Sequence, residues 1–540
     1  MAGVSNANVN PSLAEAGARL TEHSVDLLVI GGGITGAGVA LEAARRGVDV
    51  MLVEARDFAW GTSSRSSKLV HGGLRYLQEG ALGLIRVSVR ERNQLLHDAT
   101  GLVEPQRAFF GHYAGRSPGR RTMAVGLAAY DWFGDARTRE FHNAAEALRL
   151  APHIGRAGLV GGSSYLDAKT DDARLVLRVL QEAERHGARI VNRAAVRKLL
   201  HADDASNGQT GSVVGARVEG AGYTGTVRAR CVINATGVWA DGLRAALGAA
   251  PMLRPLRGSH LLFPLWRLPV AQSVSLFHPR DQRPVFATPW EGAALVGTTD
   301  LDHDASLDVE PAITPEEVRY LIEALEHAFP GLRLTAADAI SSFAGVRPVV
   351  DDSAGDPSQA SREHVVRDEH GLVTVTGGKL TTFRVIALDA LRQAASRLPA
   401  LAHGAAWRTG GASIFAAVAV SPALAGLPAA VRQRLLGRYG HHADALVAES
   451  TAADLRPVPG TFTLWAEVLW ALRHEQVRHL DDLLLRRTRL GLLLRDGAST
   501  LLPRLRPAAC EALSWSAEDW RQECARYSGI IAKSYSVPLT

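Results

Sequence analysis

Only three cysteines, Cys231, Cys510 and Cys524, occur among 540 residues. So few, so irregularly spaced, they exclude a disulfide framework and a cysteine zinc site, and they fit a reducing compartment. No metal is expected. Leader-like sequence is also missing, because the first 23 residues lack a basic-then-apolar pattern, and export is not expected. The longest uncharged stretch, residues 410–431, contains Pro422, Pro428 and several Gly and Ser. It reads as a linker into a helical domain rather than a membrane span. Charge of one sign is not in large excess: 60 Lys and Arg against 55 Asp and Glu leave +5. Such a mild surplus suits an anionic substrate or lipid, although a solvated surface accounts for it equally, and nucleic acid is not an expected partner. Repeats of solenoid type and low-complexity tracts are absent as well. What remains, 46% hydrophobic and 21% charged, is globular, and too long for one core.

The apolar run at residues 25–30 leads directly into Gly31-Gly32-Gly33-Ile34-Thr35-Gly36, and a second run, 48–53, ends in Glu54. This order predicts a strand, a glycine turn, a helix and a second strand closed by a carboxylate. Gly31 permits a sharp turn, Gly33 lets backbone approach a pyrophosphate, and Gly36 lets the helix lie close to the sheet with its amides facing the anion. Glu54 falls about 20 residues on, where a carboxylate accepts from ribose hydroxyls. FAD and NAD both satisfy this pattern.

Further along, Asp172 is the expected cap of a helix over 173–186 that Gly187 stops before a strand at 188–196. Paired strands follow at 213–218 and 223–227, then a strand ending in Asn234-Ala235-Thr236-Gly237. Residues 253–299 have the texture of a separate β-rich layer, with strands at 285–290 and 293–298 around Glu291-Gly292. Thr314-Pro315-Glu316-Glu317 opens a helix that Pro330-Gly331 ends. Residues 373–375 and the turn Thr376-Gly377-Gly378-Lys379 repeat the strand, glycine turn and helix start, so the chain returns to its first sheet and the nucleotide domain is split. Beyond about 405 the chain reads as helical, with long amphipathic stretches across 464–494.

Residues 63–76 are dense in hydrogen-bond donors and cations, and Gly72-Gly73 precedes Arg75-Tyr76. Arginine suits a phosphate because its planar fork binds bidentately. Arg257-Gly258-Ser259-His260, Gly345-Val346-Arg347-Pro348 and Gly377-Gly378-Lys379 again set glycine beside a cation. Any one of these is ordinary; several at strand ends point to an anionic substrate pocket.

Taken together and in order, these segments with Gly297-Thr298-Thr299-Asp300, residues 377–384, Arg473-His474-Glu475, Asp481-Asp482 and Arg486-Arg487-Thr488-Arg489-Leu490-Gly491 resemble the FAD-dependent, aerobic, quinone-linked glycerol-3-phosphate dehydrogenases, from about Ser24 to about Leu494. The resemblance implies an α/β fold: a Rossmann-type FAD-binding domain of the glutathione-reductase/amino-acid-oxidase kind, a β-rich substrate domain and a helical C-terminal domain. After an extension at 1–23, it assigns about 24–105, 160–250 and 340–404 to the FAD-binding part, about 106–159 and 251–339 to the substrate part, and 405–540 to the helical domain.

It further implies oxidation of sn-glycerol 3-phosphate to dihydroxyacetone phosphate, with FAD passing electrons to a membrane quinone. Carried onto matching positions, Arg75, Tyr76 and Arg362 hold the phosphate, while His260, Arg347 and Lys379 surround the glycerol carbons. Flavin contacts fall on Gly31, Gly33, Gly36, Glu54, Ser63, Ser64, Ser67, Lys68, Leu69, Gly237, Gly378, Lys379, Leu380 and Thr381. His260, with an ordinary pKa of ~6.5, suits the proton acceptor better than Arg347, which polarises the alkoxide. Lys379 and the helix start behind it stabilise negative charge on the reduced flavin. A homodimer and monotopic attachment to the cytoplasmic face of the inner membrane are family-level expectations. For the latter, Phe109-Phe110, Tyr113, Arg116, Arg120-Arg121, Met123 and residues 130–133 mix aromatics with cations, as interfacial segments do, and a core helix with a basic outer face reads the same way. The rival readings are an FAD-dependent amine or amino-acid oxidase and a non-catalytic flavin-binding protein.

Overall fold

The computed structural model describes residues 23–74, 82–116, 118–134, 136–202, 211–220, 223–351, 363–401, 407 and 413–538. The apolar run ahead of Gly31 forms the strand His23–Ile30, in which Leu27, Leu28 and Val29 are wholly buried. Burial on both faces is what a parallel strand covered on each side requires. It pairs in parallel with Val50–Val53 on one side and Tyr223–Asn234 on the other. Arg189–Val191 and Leu372–Gly377 extend the parallel set at its two ends. His364–Glu369, Ala194–His201 and Val213–Gly220 complete an eight-stranded sheet by antiparallel pairing. The return of residues near 375 to the first sheet is therefore a hydrogen-bonded fact. Helices Ile34–Ala44, Asp172–Arg185 and Phe383–Ala394 share one apolar core with this sheet.

A second, ten-stranded sheet carries Val103–Tyr113, Leu253–Pro264, Ser273–Phe277, Pro284–Trp290 and Ala293–Gly297, with the helix Pro315–Ala328 packed on it. Two strands fall on the other side of the expected division. Leu159–Thr170 pairs along Val103–Tyr113, and Ser341–Val350 pairs with Leu253–Pro264 over ten positions. Both were expected in the FAD-binding part, but continuous backbone pairing binds them to the second sheet. Each reaches from that sheet to the nucleotide domain, so Ser341–Val350 delivers Arg347 and Pro348 to the junction.

The helix expected after Asp172 is capped instead by Asp171, which accepts from Arg174 N at 3.2 Å. Asp172 is turned away to Lys68 and Ser66. Among the described residues, no helix is long and apolar enough to cross a membrane. The stretch expected to be amphipathic across 464–494 is broken into Trp465–His474, Asp482–Arg487 and Leu490–Leu493. Several of its charged residues point inward: Asp57 takes Arg486 at 2.5 Å and Arg487 at 2.7 Å, Glu475 takes Arg174 at 2.6 Å, and Asp171 takes Arg489 at 2.9 Å as well as Arg438, from the helix Ala429–Tyr439, at 2.7 Å. These buried pairs fasten the helical domain to the nucleotide domain. Their net stability is small, but losing one partner of such a pair costs about 3–5 kcal/mol.

Candidate active site

At the carboxyl ends of the parallel strands, where open α/β sheets bind ligands, lies a cavity of about 360 Å³. Gly31, Gly33, Glu54, Ser63, Gly237, Gly378, Lys379 and Leu380 line it, together with Arg56, Trp60, Ser66, Trp239, Asp308 and Pro348. Gly31 has φ +114°, and a Cβ there would stand 2.5 Å from Ala235 O, so only glycine fits. Gly33 caps the helix Ile34–Ala44 without any side-chain bond, while Ile34 N donates to Ser63 Oγ at 3.0 Å. Glu54 is held by the turn it follows, accepting from Gly32 N and Arg56 N at 2.7 Å each. Burial pushes its carboxyl up, and those two amides oppose the shift.

Gly36 lies behind the cavity rather than on it. A Cβ there would meet Gly31 O at 1.9 Å, so its absence lets the helix seat against the turn. Four further expected flavin contacts have their side chains committed elsewhere. Ser64 Oγ donates to Gly61 O at 3.4 Å, Ser67 Oγ lies 2.8 Å from His260 Nε2, and Thr381 Oγ1 donates to His71 O at 3.3 Å. Lys68 is wholly buried, donating to both oxygens of Asp172 at 2.9 Å and to Ser64 O at 2.5 Å. Burial first, then Arg489, brings its ammonium down to about 7. Leu69 is occupied in a two-residue strand against Lys169. Asp172 draws this segment inward, so it shapes the cavity wall from behind. Arg75, Tyr76 and Arg362 lie outside the described residues.

Arg347 reaches the second-sheet turn, donating from Nη1 to Asp300 Oδ1 at 2.8 Å and from Nη2 to Thr298 Oγ1 at 3.0 Å. Gly258 makes room for it across the neighbouring strand, since a Cβ there would lie 2.3 Å from Arg347 Nη2. Glu317 ties this turn to the strand Leu253–Pro264, accepting from Thr299 Oγ1 at 2.7 Å and Ser259 Oγ at 2.8 Å. His260 lies flat on Phe343, ring centres 4.7 Å apart, and is 1% exposed. Burial first, then Arg347 and Lys68, pushes its imidazole well below the usual range.

Sequence reasoning singled out neither Trp60 nor Asp308. Trp60 stands only six residues beyond Glu54, a position that could have drawn notice; nothing local marks Asp308, which the second-sheet domain supplies.

Whether a flavin nucleotide suits this cavity is testable on its lining. The uncapped helix start suits phosphate, the braced Glu54 suits ribose, and Trp60, Trp239 and Val196 offer apolar surface. Gly237 has φ +61° with nothing within 4 Å of an added Cβ, leaving room there for a ligand. The family model described as FAD dependent oxidoreductase matches residues 26–384, and that described as the C-terminal domain of alpha-glycerophosphate oxidase matches 398–520. The aerobic glycerol-3-phosphate dehydrogenase of Staphylococcus saprophyticus is 34% identical over 493 residues, 87% of each chain. The chain belongs to the FAD-dependent glycerol-3-phosphate dehydrogenase family. The solved glycerol-3-phosphate dehydrogenase of Bacillus halodurans, complexed with FAD, is 28% identical at TM-score 0.76 and covers 97% of this chain and 98% of its own. L-alpha-glycerophosphate oxidase of Mycoplasma pneumoniae, with FAD bound, shares the fold at 20% identity and TM-score 0.54, covering 69% of this chain and 94% of its own. As in the family, the cofactor is FAD.

Proposed function

We propose that this protein oxidises sn-glycerol 3-phosphate to dihydroxyacetone phosphate and delivers the electrons to a quinone at a membrane surface. The observation that carries the reading is a cavity at the carboxyl ends of the parallel strands that Lys379 and Pro348 both line, with Arg347 the residue preceding Pro348. The substrate is taken from the names of the relatives. Removing two electrons from a secondary alcohol takes a hydride from carbon 2 and a proton from its hydroxyl. FAD, when bound, supplies the hydride acceptor. Arg347, its plane fixed by Asp300 and Thr298, polarises the carbon-2 oxygen, whose proton passes to His260 as the proposed acceptor, and Lys379 adds positive charge beside it. His260 Nε2 lies 2.8 Å from Ser67 Oγ. Arg75, Tyr76 and Arg362 remain the proposed phosphate ligands.

Attachment to a membrane has support in one surface. The helices Leu82–Asp98 and Arg120–Phe133 pack together. They leave Val125 74% and Trp132 75% exposed, and Arg86, Arg90, Arg120 and Arg121 are exposed with them. Glu91 and Asp131 on the same helices are buried. Apolar tips among exposed arginines suit an anionic bilayer surface. Phe109, Phe110 and Tyr130, weighed for the same purpose, are buried in the core. We place the protein on the cytoplasmic face of the inner membrane.

The match of the helical domain to that of an alpha-glycerophosphate oxidase favours a second reading, in which oxygen accepts the electrons. Both are tested by adding glycerol 3-phosphate anaerobically to the yellow holoprotein and following the flavin absorbance. Bleaching that a soluble quinone reverses, with little peroxide once air is admitted, supports the first reading. Stoichiometric peroxide supports the second, and persistent colour defeats both.

A further inference from the structure

A turn near the C-terminus packs on the strand Ser341–Val350. After the helix Ala517–Ile530, the turn Ile531–Tyr535 buries Ser534 and Tyr535, and Ser342 Oγ donates to Ser536 O at 2.8 Å. Tyr535 Oη donates to Glu310 Oε1 at 2.5 Å. Arg65 Nη2 donates to the same carboxylate oxygen and, at 3.3 Å, to Tyr535 Oη. Burial first, and then Glu310, raises the Tyr535 hydroxyl above its usual range, so it remains a donor at any working pH.

This triad leads to the cavity by two routes. Arg65 Nη1 donates to Trp60 O, and the Arg65 guanidinium stands 4.7 Å from the centre of the Trp60 ring. Arg56 approaches the same ring at 3.9 Å and donates to Asp308 O at 2.9 Å. Trp60, Arg56 and Asp308 all line the cavity. Glu310 and Asp308 belong to one irregular stretch between the strand Leu301–Asp302 and the helix Pro315–Ala328. That stretch and Trp60 are thus joined through two arginines, and one of the joints closes on Tyr535. Gly345 leaves space for this, since a Cβ there would lie 2.6 Å from Arg65 O.

We propose that Tyr535 is a positioning residue for the cofactor: through Glu310 and Arg65 it holds Trp60 and the Asp308 stretch against the cavity and so slows the escape of FAD. The C-terminal residues, which touch neither the glycine turns nor Arg347, thereby act on cofactor retention. This rests on FAD as cofactor and is independent of which substrate the enzyme takes.

The test is FAD release from the holoprotein, followed as flavin fluorescence rises on dilution into FAD-free buffer. Tyr535→Phe keeps the buried ring and removes only the donor, and Glu310→Gln removes the charge both partners share. Each is expected to speed release about tenfold, the factor that corresponds to a lost buried hydrogen bond. The double variant should be no faster than the quicker single one. The KM for glycerol 3-phosphate should stay at the parent value in both, and so should the apoprotein melting temperature of Tyr535→Phe, which leaves the Arg65–Glu310 pair intact. An unchanged release rate in Tyr535→Phe, or single effects that multiply in the double variant, would overturn the proposal. So would faster release that merely follows a lowered apoprotein melting temperature. Because no substrate is present during release, failure here is distinguishable from failure of the proposed reaction.

Discussion

Arg347, on the strand Ser341–Val350, and Asp300, in the turn after the strand Ala293–Gly297, meet at 2.8 Å, and Asp300 also lies 3.3 Å from Arg283. The acid therefore sets the plane in which Arg347 presents its guanidinium. Arg347→Ala is expected to abolish turnover while the protein stays yellow. Asp300→Asn should lower kcat by about tenfold, as expected when a charge-assisted bond becomes a neutral one. FAD affinity should be unaffected in both. Steady-state kinetics beside an FAD titration check the split, and near-normal kcat in Arg347→Ala would remove it from the chemistry.

Gly36→Ala places a methyl 1.9 Å from Gly31 O, against backbone that cannot swing aside. The helix must lift from the turn, and overpacking of this kind costs about 1–3 kcal/mol. The purified variant should be largely free of FAD and melt at a lower temperature; a yellow protein of parental stability would contradict the packing argument.

Asp57→Ala leaves Arg486 and Arg487 buried without the carboxylate they share. A loss of about 3–5 kcal/mol is expected in denaturant unfolding, partly restored in Asp57→Asn. The two arginines hold the Asp57 carboxyl far below the usual range against the opposing effect of burial. Its contribution is thus present above the unfolded value of about 3.9 and lost as pH falls below it. The parent should lose stability in acid more steeply than Asp57→Ala.

Burial first, and then His441, brings the His442 imidazole down to about 4. The unfolded chain takes up this proton near pH 6.5 and the folded one only near 4, so stability falls as pH drops through that window and is level above it. His442→Gln should flatten the melting temperature between pH 6.5 and 4. An unaltered slope would mean that His442 is charged in the folded protein.

Trp132→Ser with Arg120→Glu and Arg121→Glu should abolish sedimentation with anionic vesicles, leaving FAD content unchanged. Binding of the parent should weaken in high salt, as contacts to charged headgroups do. Equal binding by parent and variant would move the membrane surface elsewhere.

The features legible in the sequence share one property: their causes are local. Gly31 and Gly377 are needed where φ is positive, apolar runs mark strands buried on both faces, and Thr314 with Glu317 forms a capping box at the helix start. The engagement of the Lys68 ammonium was not legible, because its partner Asp172 lies a hundred residues away. Residues 464–494 misled for a related reason. Charges that read as a solvated face are instead the buried counterparts of Asp57, Arg174 and Asp171.

By itself, then, the sequence determined the glycine turns and the split return to the first sheet, because backbone conformation and hydrophobic period are properties of short segments, while the family and the cofactor followed from the resemblance of its ordered motifs to known enzymes. Only the tertiary structure decided that Asp300 orients Arg347, that His260 is buried against Phe343, and that Glu310 and Tyr535 close on Arg65. Those depend on which strands become neighbours and on what is excluded from water, and both emerge only when distant segments pack.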